Sequence, residues 1–225
     1  MKYLCNGVSL QNGRQSNMDS LLLKSRHIAG RSAALAVVCD GVGSLADGAF
    51  ASGTAAVMLS EWFDKLAAVE RIGLIMRDTV LEINSRIVMQ AGKNNLDTAS
   101  TLSAILLVEN DYFIVHIGDS RIYSCADGEL SMHTGDDVSQ SGKLLGYIGK
   151  HNEIFLQYSE GTAAGKVFLI CSDGLYKRMD ESFMSMKMKN LSKRSIKEAI
   201  ESLPQYVIRR GEQDNITLAI IKIID

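Results

Sequence analysis

The sequence predicts an α+β fold, with helices outside a largely antiparallel β core. Three observations carry that expectation. The hydrophobic period lengthens to about 3.6 residues near Ala49 and returns to a strand pattern after Thr98. The strands expected between Thr98 and Thr134 are joined by links too short for parallel crossovers. The elements run in the order strands, two helices, several strands, a helix and a strand, which suits helices packed on an antiparallel sheet. Of the 225 residues 46% are hydrophobic, enough for one substantial core, so a single domain over residues 1–225 is expected.

The first forty residues supply "YLCNGVSL", "DSLLLKS" and "AALAVVCD", short strand-compatible runs separated by turns rich in Gly, Asn and Arg. From 49 to 69, Ala51, Ala55, Met58, Leu59, Trp62 and Leu66 recur at helical spacing. Ile75, Met76, Val80, Ile83 and Ile87 do the same from 72 to 90, which predicts two amphipathic helices joined by "ERIG". After Thr98, "END", "GDS" and "ADG" punctuate "TLSAILLVENDYFIVHIGDSRIYSCADGELSMHT" into consecutive hairpin strands, a meander. Residues 135–165 are less periodic and richer in Gly, an irregular excursion with one strand at "IFLQY". "KVFLICSDG" reads as a buried strand, "KRSIKEAIESLPQYVIRR" as a helix bent or broken near Pro204, and "NITLAIIKII" as a final strand.

Lys plus Arg, 24 residues, nearly balances Asp plus Glu, 26, so no global field draws the chain to nucleic acid or anionic lipid. No stretch approaches the roughly 20 apolar residues of a membrane span, and the N-terminus is too short and too polar for a secretory signal. Cys5, Cys39, Cys125 and Cys171 are scattered without a CxxC pair, so neither a disulfide framework nor a structural zinc site is expected. A reducing cytoplasm fits best. His27, His116, His133 and His151 show no metal spacing, and His116 reads as a half-buried strand residue.

"VVCDG" at 37–41 and "LICSDG" at 169–174 share one form, an apolar strand that ends by presenting an Asp followed by Gly. Asp214 in "EQDNITLAII" precedes a strand, and Asp119 in "IGDSRIY" lies between two. Any one of these alone is more often a plain turn. As a set they point to a carboxylate cluster, and clustered carboxylates repel one another unless a cation intervenes. Such hard oxygen ligands suit magnesium or manganese, and Gly41 would let a backbone carbonyl approach an ion beside Asp40.

In chain order, "GRQSNMD", "DGVGS", "STLSAILL", "IGDSRIY", "SDGL" and "DNITLAII" resemble the motif series of the metal-dependent protein phosphatases, the protein phosphatase 2C family, in its compact bacterial form. The resemblance runs from about Gly13 to Ile221. It implies an αββα sandwich, two central, mostly antiparallel sheets flanked by helices. It further implies that Asp40 bridges two magnesium or manganese ions, that Gly41 offers its carbonyl, and that Asp173 and Asp214 complete the second metal. Asn215 would orient the last ligand or its water, and Asp119 resembles a ligand of a third, weaker ion beside Asp173. Arg14 matches the residue that grips the substrate phosphate through two parallel hydrogen bonds, and Asp19 one that hydrogen-bonds metal-bound water. Arg121 reads as a structural ion-pair partner and Asn17 as a turn or supporting residue. The implied reaction is hydrolysis of phosphoserine or phosphothreonine by a metal-bridging water, without a covalent phosphoenzyme. The implied partners are phosphoproteins made by a serine/threonine kinase, with no nucleic acid or membrane, and the chain is expected to be a monomer.

The pattern has departures. Met18 stands where many relatives carry Glu, and a neutral thioether is a poor partner for magnesium. Ser44 replaces the second Gly of "DGxGG", Ala49 stands where an acidic residue is common, and Val42 where animal relatives often have His. "ASTL" replaces "GTT", a change expected to affect packing more than chemistry. Residues 135–165 fall where the family inserts its flap, here short, and Asp136 and Asp137 read as a solvated turn. "FMSMKMKN" reads as a partly buried segment before the last helix. Two alternatives follow: a weak or inactive relative that binds phosphoproteins, and a two-metal nuclease, which the lack of a basic stripe disfavours.

Overall fold

A computed structural model describes residues 2–224. Met1 and Asp225, the ends of the expected domain, lie outside the described residues. The elements run β1 (Lys2–Leu10), β2 (Ser20–Ile28), β3 (Arg31–Cys39), α1 (Gly48–Lys65), α2 (Ile72–Asn94), β4 (Leu102–Val108), β5 (Asp111–Ile117), β6 (Arg121–Ala126), β7 (Glu129–Met132), β8 (Gln157–Thr162), β9 (Val167–Cys171), α3 (Asp173–Tyr176), α4 (Glu181–Met188), α5 (Lys193–Arg209) and β10 (Ile216–Ile224). One sheet has the order β1-β10-β9-β6-β7 and the other β2-β3-β4-β5-β8. Every pairing is antiparallel.

β3 shows why the layers stack. Ala33, Leu35, Val37 and Cys39 pack with Leu59 and Phe63 of α1 and Met76 and Val80 of α2. The alternate residues Ala34, Ala36 and Val38 meet Phe168, Ile170, Ala219 and Ile221 of the other sheet. With both faces covered, the strand loses the polar alternation of a half-exposed sheet. On the far side, Leu169, Leu218 and Ile220 bury themselves against Met184 and Met188 of α4 and Ile196, Leu203 and Val207 of α5. The result is the αββα sandwich.

Several readings need correction. The run from β4 to β7 is not one meander: β4 and β5 belong to one sheet, β6 and β7 to the other, and "GDS" is the corner between them. That corner requires Gly118, whose φ is +112° and where a Cβ would stand 2.6 Å from the Thr101 side chain. Helix α5 runs unbroken through Pro204, which is itself buried along with Ile196, Ile200, Leu203 and Val207. The proline forfeits only its own bond to the Ile200 carbonyl, and the apolar stripe holds the helix together. The strand expected at "IFLQY" starts only at Gln157, because Ile154 and Leu156 pack toward the α1/α2 core. "FMSMKMKN" supplies most of α4, through Met188, and the four-residue α3 is too short to leave a periodic signal. Ile75, placed on the inner stripe of its helix, is 45% exposed. The four cysteines are free thiols, and Cys39, Cys125 and Cys171 are buried. Among the described residues, no helix is long and apolar enough to cross a membrane.

Candidate metal centre

Strand register gathers the candidate residues at one end of the sandwich. Ser20 pairs with Cys39, which sets Asp19 beside Asp40. Cys171 pairs with Arg121 on one side and Leu218 on the other, which aligns the Asp119 corner, Asp173 and Asp214. Asp40, Asp119, Asp173 and Asp214 line a single cavity of about 430 Å³, together with Arg14 and Lys177.

The Asp40 backbone is fixed from three directions. Its N–H donates to Thr101 Oγ1 at 3.0 Å, and its carbonyl accepts from Thr101 N at 2.9 Å and Ser100 Oγ at 3.0 Å. Thr101 Oγ1 in turn shares a 2.7 Å hydrogen bond with Ser120 Oγ. The "ASTL" segment therefore positions the central carboxylate, a role beyond packing. Gly41 is required for a reason apart from carbonyl access: a Cβ there would stand 2.6 Å from the Met18 carbonyl and 2.8 Å from the Gly48 backbone. Three backbone segments meet at that point. Ser44 and Ala49 are exposed, and Met18 is among the residues lining the cavity.

Electrostatics follow from this crowding. Burial raises the Asp40 carboxyl well above the ordinary carboxylate range, and Asp19, Asp173, Asp119 and Asp214 add to the effect. Burial also raises Asp19 to about 6, against the hydrogen bond donated by Ser172 Oγ at 2.9 Å. Asp119 rises to about 6 through burial and the charge of Asp173, opposed by Lys177. At Asp214 burial also pushes upward, but Arg14 and the Asn215 N–H carry the carboxyl below its usual value. Arg14 holds Asp214 with both arms of its fork, Nε to Oδ1 at 2.8 Å and NH2 to Oδ2 at 2.6 Å. Lys177 pairs with Asp173. Sequence reading missed Lys177, whose signal is its position four residues beyond Asp173, one helical turn away.

The supporting residues differ in part from expectation. Asn215 orients Asp214 through its backbone N–H, donated to Oδ1 at 2.9 Å. Its side chain instead fastens the Arg14 loop, accepting from Met18 N at 3.0 Å and donating to Gln11 O at 2.8 Å and Ser16 O at 3.0 Å. Asn17 accepts from Asp19 N at 3.1 Å and donates to Ser9 Oγ at 2.8 Å. Arg121 is the ion-pair partner expected, bound to Asp136 at 2.9 and 2.7 Å and stacked 3.7 Å from the Tyr176 ring centroid. Tyr176 then donates to the Asp119 carbonyl at 2.9 Å. Asp136 is thus no solvated turn residue, and neither is Asp137, which accepts from Gly118 N at 2.9 Å and Gln157 Nε2 at 3.0 Å. His116 is fully buried, not half-buried: it meets Ser103 Oγ at 2.8 Å and the carbonyls of Gly118 and Gly135 at 3.1 and 3.2 Å.

The donor chemistry fits a hard divalent cation. The carboxylates and neighbouring carbonyls offer oxygen, and no His or Cys lines the cavity. Asp40 lies in a field of four further carboxylates that a cation relieves. Among the described residues, no three Asp, Glu, His or Cys side chains stand in finished ligand geometry. Two of the carboxylates are held in ion pairs: Arg14 takes both oxygens of Asp214, and Lys177 pairs with Asp173.

This sandwich with an acidic cavity at one end is the fold of bacterial serine/threonine phosphatases. It superposes on Stp1 from Staphylococcus aureus with a TM-score of 0.89 at 18% identity, over 100% of this chain and 96% of that one. A model of the protein phosphatase 2C family matches residues 7–207, and the chain belongs to that family. It is 26% identical over 235 residues to the serine/threonine protein phosphatase PstP of Mycobacterium tuberculosis, covering 94% of this chain and 43% of the relative. The chain thus spans less than half the length of that relative. It is 25% identical over 214 residues to the serine/threonine phosphatase stp of Listeria monocytogenes, covering 84% of each. A structure of the catalytic domain of PstP in complex with two manganese ions superposes with a TM-score of 0.83 at 26% identity, over 100% of both chains.

Proposed function

We propose that the chain is a metal-dependent protein phosphatase that hydrolyses phosphoserine and phosphothreonine, with two magnesium or manganese ions held by Asp40, the Gly41 carbonyl, Asp173 and Asp214. One observation carries this reading: four aspartates from separate stretches of chain line one cavity beside a forked arginine. The names of the relatives and the manganese in the PstP domain support it. When bound by these residues, the ions would supply Lewis acidity and would lower the pKa of a water for attack on phosphorus.

The chain's own residues do the rest. Asp19, held by Ser172 beside Asp40, accepts a hydrogen bond from water at the centre and so orients it. Arg14 exchanges its Asp214 oxygens for two phosphate oxygens, a planar fork meeting a planar pair of acceptors. Its exposed side chain can make that exchange without disturbing the core. The substrates are phosphoproteins made by a serine/threonine kinase, and the chain acts as a cytoplasmic monomer.

Arg14→Ala is expected to lower kcat/KM toward a phosphopeptide by about 10- to 100-fold, the loss of a charged hydrogen-bond pair. Arg14→Lys is expected to recover only part of this, because an ammonium cannot bind two oxygens in parallel. Steady-state kinetics in manganese check both, and an unchanged KM with unchanged kcat removes Arg14 from the phosphate site. Turnover of an aryl phosphate that survives both EDTA and Asp40→Asn would overturn the metal mechanism. Met18, a cavity-lining residue with no carboxylate to offer, favours a second reading, a weak or inactive phosphoprotein-binding relative. Absent turnover with retained phosphopeptide binding would select it.

A further inference from the structure

We propose that the Lys177 ammonium takes the place of a third ion on the Asp119 and Asp173 side of the cavity, so that this chain binds two divalent ions and not three. The inference rests on the two-ion reading above. Lys177 follows α3 directly, and its N–H donates to the Asp173 carbonyl at 3.1 Å. That single turn of helix brings the Lys177 Nζ onto the Asp173 carboxylate. The preceding residue, Tyr176, holds the Asp119 carbonyl at 2.9 Å. One short element therefore delivers a carboxylate, a clamp for the Asp119 corner and a fixed positive charge to the same place.

The blander alternative is a solvated surface pair, worth little. Asp173 argues against it, since its side chain is only 14% exposed and lines the cavity. The charge of Lys177 also acts on Asp119, where it opposes the effect of burial. Charge balance points the same way. Once cations hold all five ionised, Asp19, Asp40, Asp119, Asp173 and Asp214 set five negative charges against Arg14 and Lys177, a net of three. Two divalent ions turn that into a single positive charge, suited to a phosphate dianion. A third would add two more and lie against the Lys177 ammonium, already seated on Asp173.

Manganese binding to the intact chain, measured by calorimetry near neutral pH without substrate, tests this. Two ions are expected on the wild type and on Lys177→Arg, and three on Lys177→Met, the third at least about tenfold tighter than any extra ion on the wild type. Lys177→Gln serves as a second neutral variant if the methionine form does not fold. A third ion on the wild type as tight as that on Lys177→Met, or two ions on both neutral variants, overturns the proposal while leaving the two-ion centre standing. No ion on the wild type removes the two-ion reading itself, and this inference with it.

Discussion

Asp40→Asn is expected to abolish most phosphatase turnover, by at least about 10²- to 10³-fold, and at the same time to raise the melting temperature of the metal-free protein. The two effects share one cause. Asp40 lies at the centre of the carboxylates of Asp19, Asp173, Asp119 and Asp214, and burial and their charges disfavour its ionised form. An amide of the same shape removes that repulsion along with the carboxylate proposed to hold the ions. The gain is on the order of 1–2 kcal/mol, or roughly 2–8 °C for a domain of this size. A pH dependence accompanies it. Folding raises Asp40 above its 3.8 reference and raises Asp19 and Asp119 from 3.8 to about 6, so the folded state binds more protons than the unfolded state in this range. This stabilisation is therefore present below about 4 and is lost as pH rises through about 6. Manganese should restore the lost stability in the wild type and not in Asp40→Asn. Thermal melts across this range, with and without manganese, provide the check. A metal-free Asp40→Asn that melts below the wild type would contradict the electrostatic account of the site.

Gly174→Ala should be the most damaging substitution that leaves every charged group of the site in place. A Cβ at Gly174 would stand 2.0 Å from the Asn215 carbonyl oxygen and 3.1 Å from its carbon. No side-chain rotation relieves a clash with backbone. The segments carrying Asp173 and Asp214 are also laced together, with Ser172 N donating to Thr217 O at 2.9 Å and Thr217 N to Ser172 Oγ at 3.0 Å. Relief therefore requires the turns that carry Asp173 and Asp214 to part. The expected cost is at least about 1–3 kcal/mol of stability. Manganese affinity should fall by about 10- to 100-fold, because Asp173 and Asp214 move apart. Gly43→Ala is the control: nothing lies within 4 Å of its Cβ position, so its effect should stay within about 0.5 kcal/mol. Denaturant titration and manganese calorimetry separate the two variants. Equal behaviour would mean that the contact between the turns does not set the site.

Local patterns made much of this readable in the sequence. Most of the inner stripes of α1 and α2 follows from helical spacing, but Ile75 is exposed, Leu66 lies beyond the end of α1, and the fully buried Phe63 was not singled out. The strand-ending Asp-Gly pairs mark Asp40 and Asp173 as carboxylates driven to one edge. What failed was information held between distant residues. "GDS" carries ordinary turn chemistry, and only the packing of Ile114 and Ile122 in the layer between the sheets reveals that the chain crosses over. Pro204 obeys its local rule in sequence, but the buried stripe of α5 outweighs it. The partners of the site residues were invisible for the same reason: Ser172 reaches Asp19 across 153 positions, and the Asn215 side chain reaches Gln11 across 204. Arg121 finds Asp136 only after β7 has intervened. Lys177 stands four residues from a carboxylate already singled out, but the single turn of α3 that makes this spacing a contact leaves no periodic signal.

Anomalous scattering from crystals soaked in manganese tests the central claim most directly, because it reports where the ions sit. Two manganese peaks are predicted in the cavity, both touching Asp40, with Asp173 and Asp214 on one of them. Crystals that take up manganese only elsewhere, or that place it in the cavity out of reach of Asp40, would contradict the account.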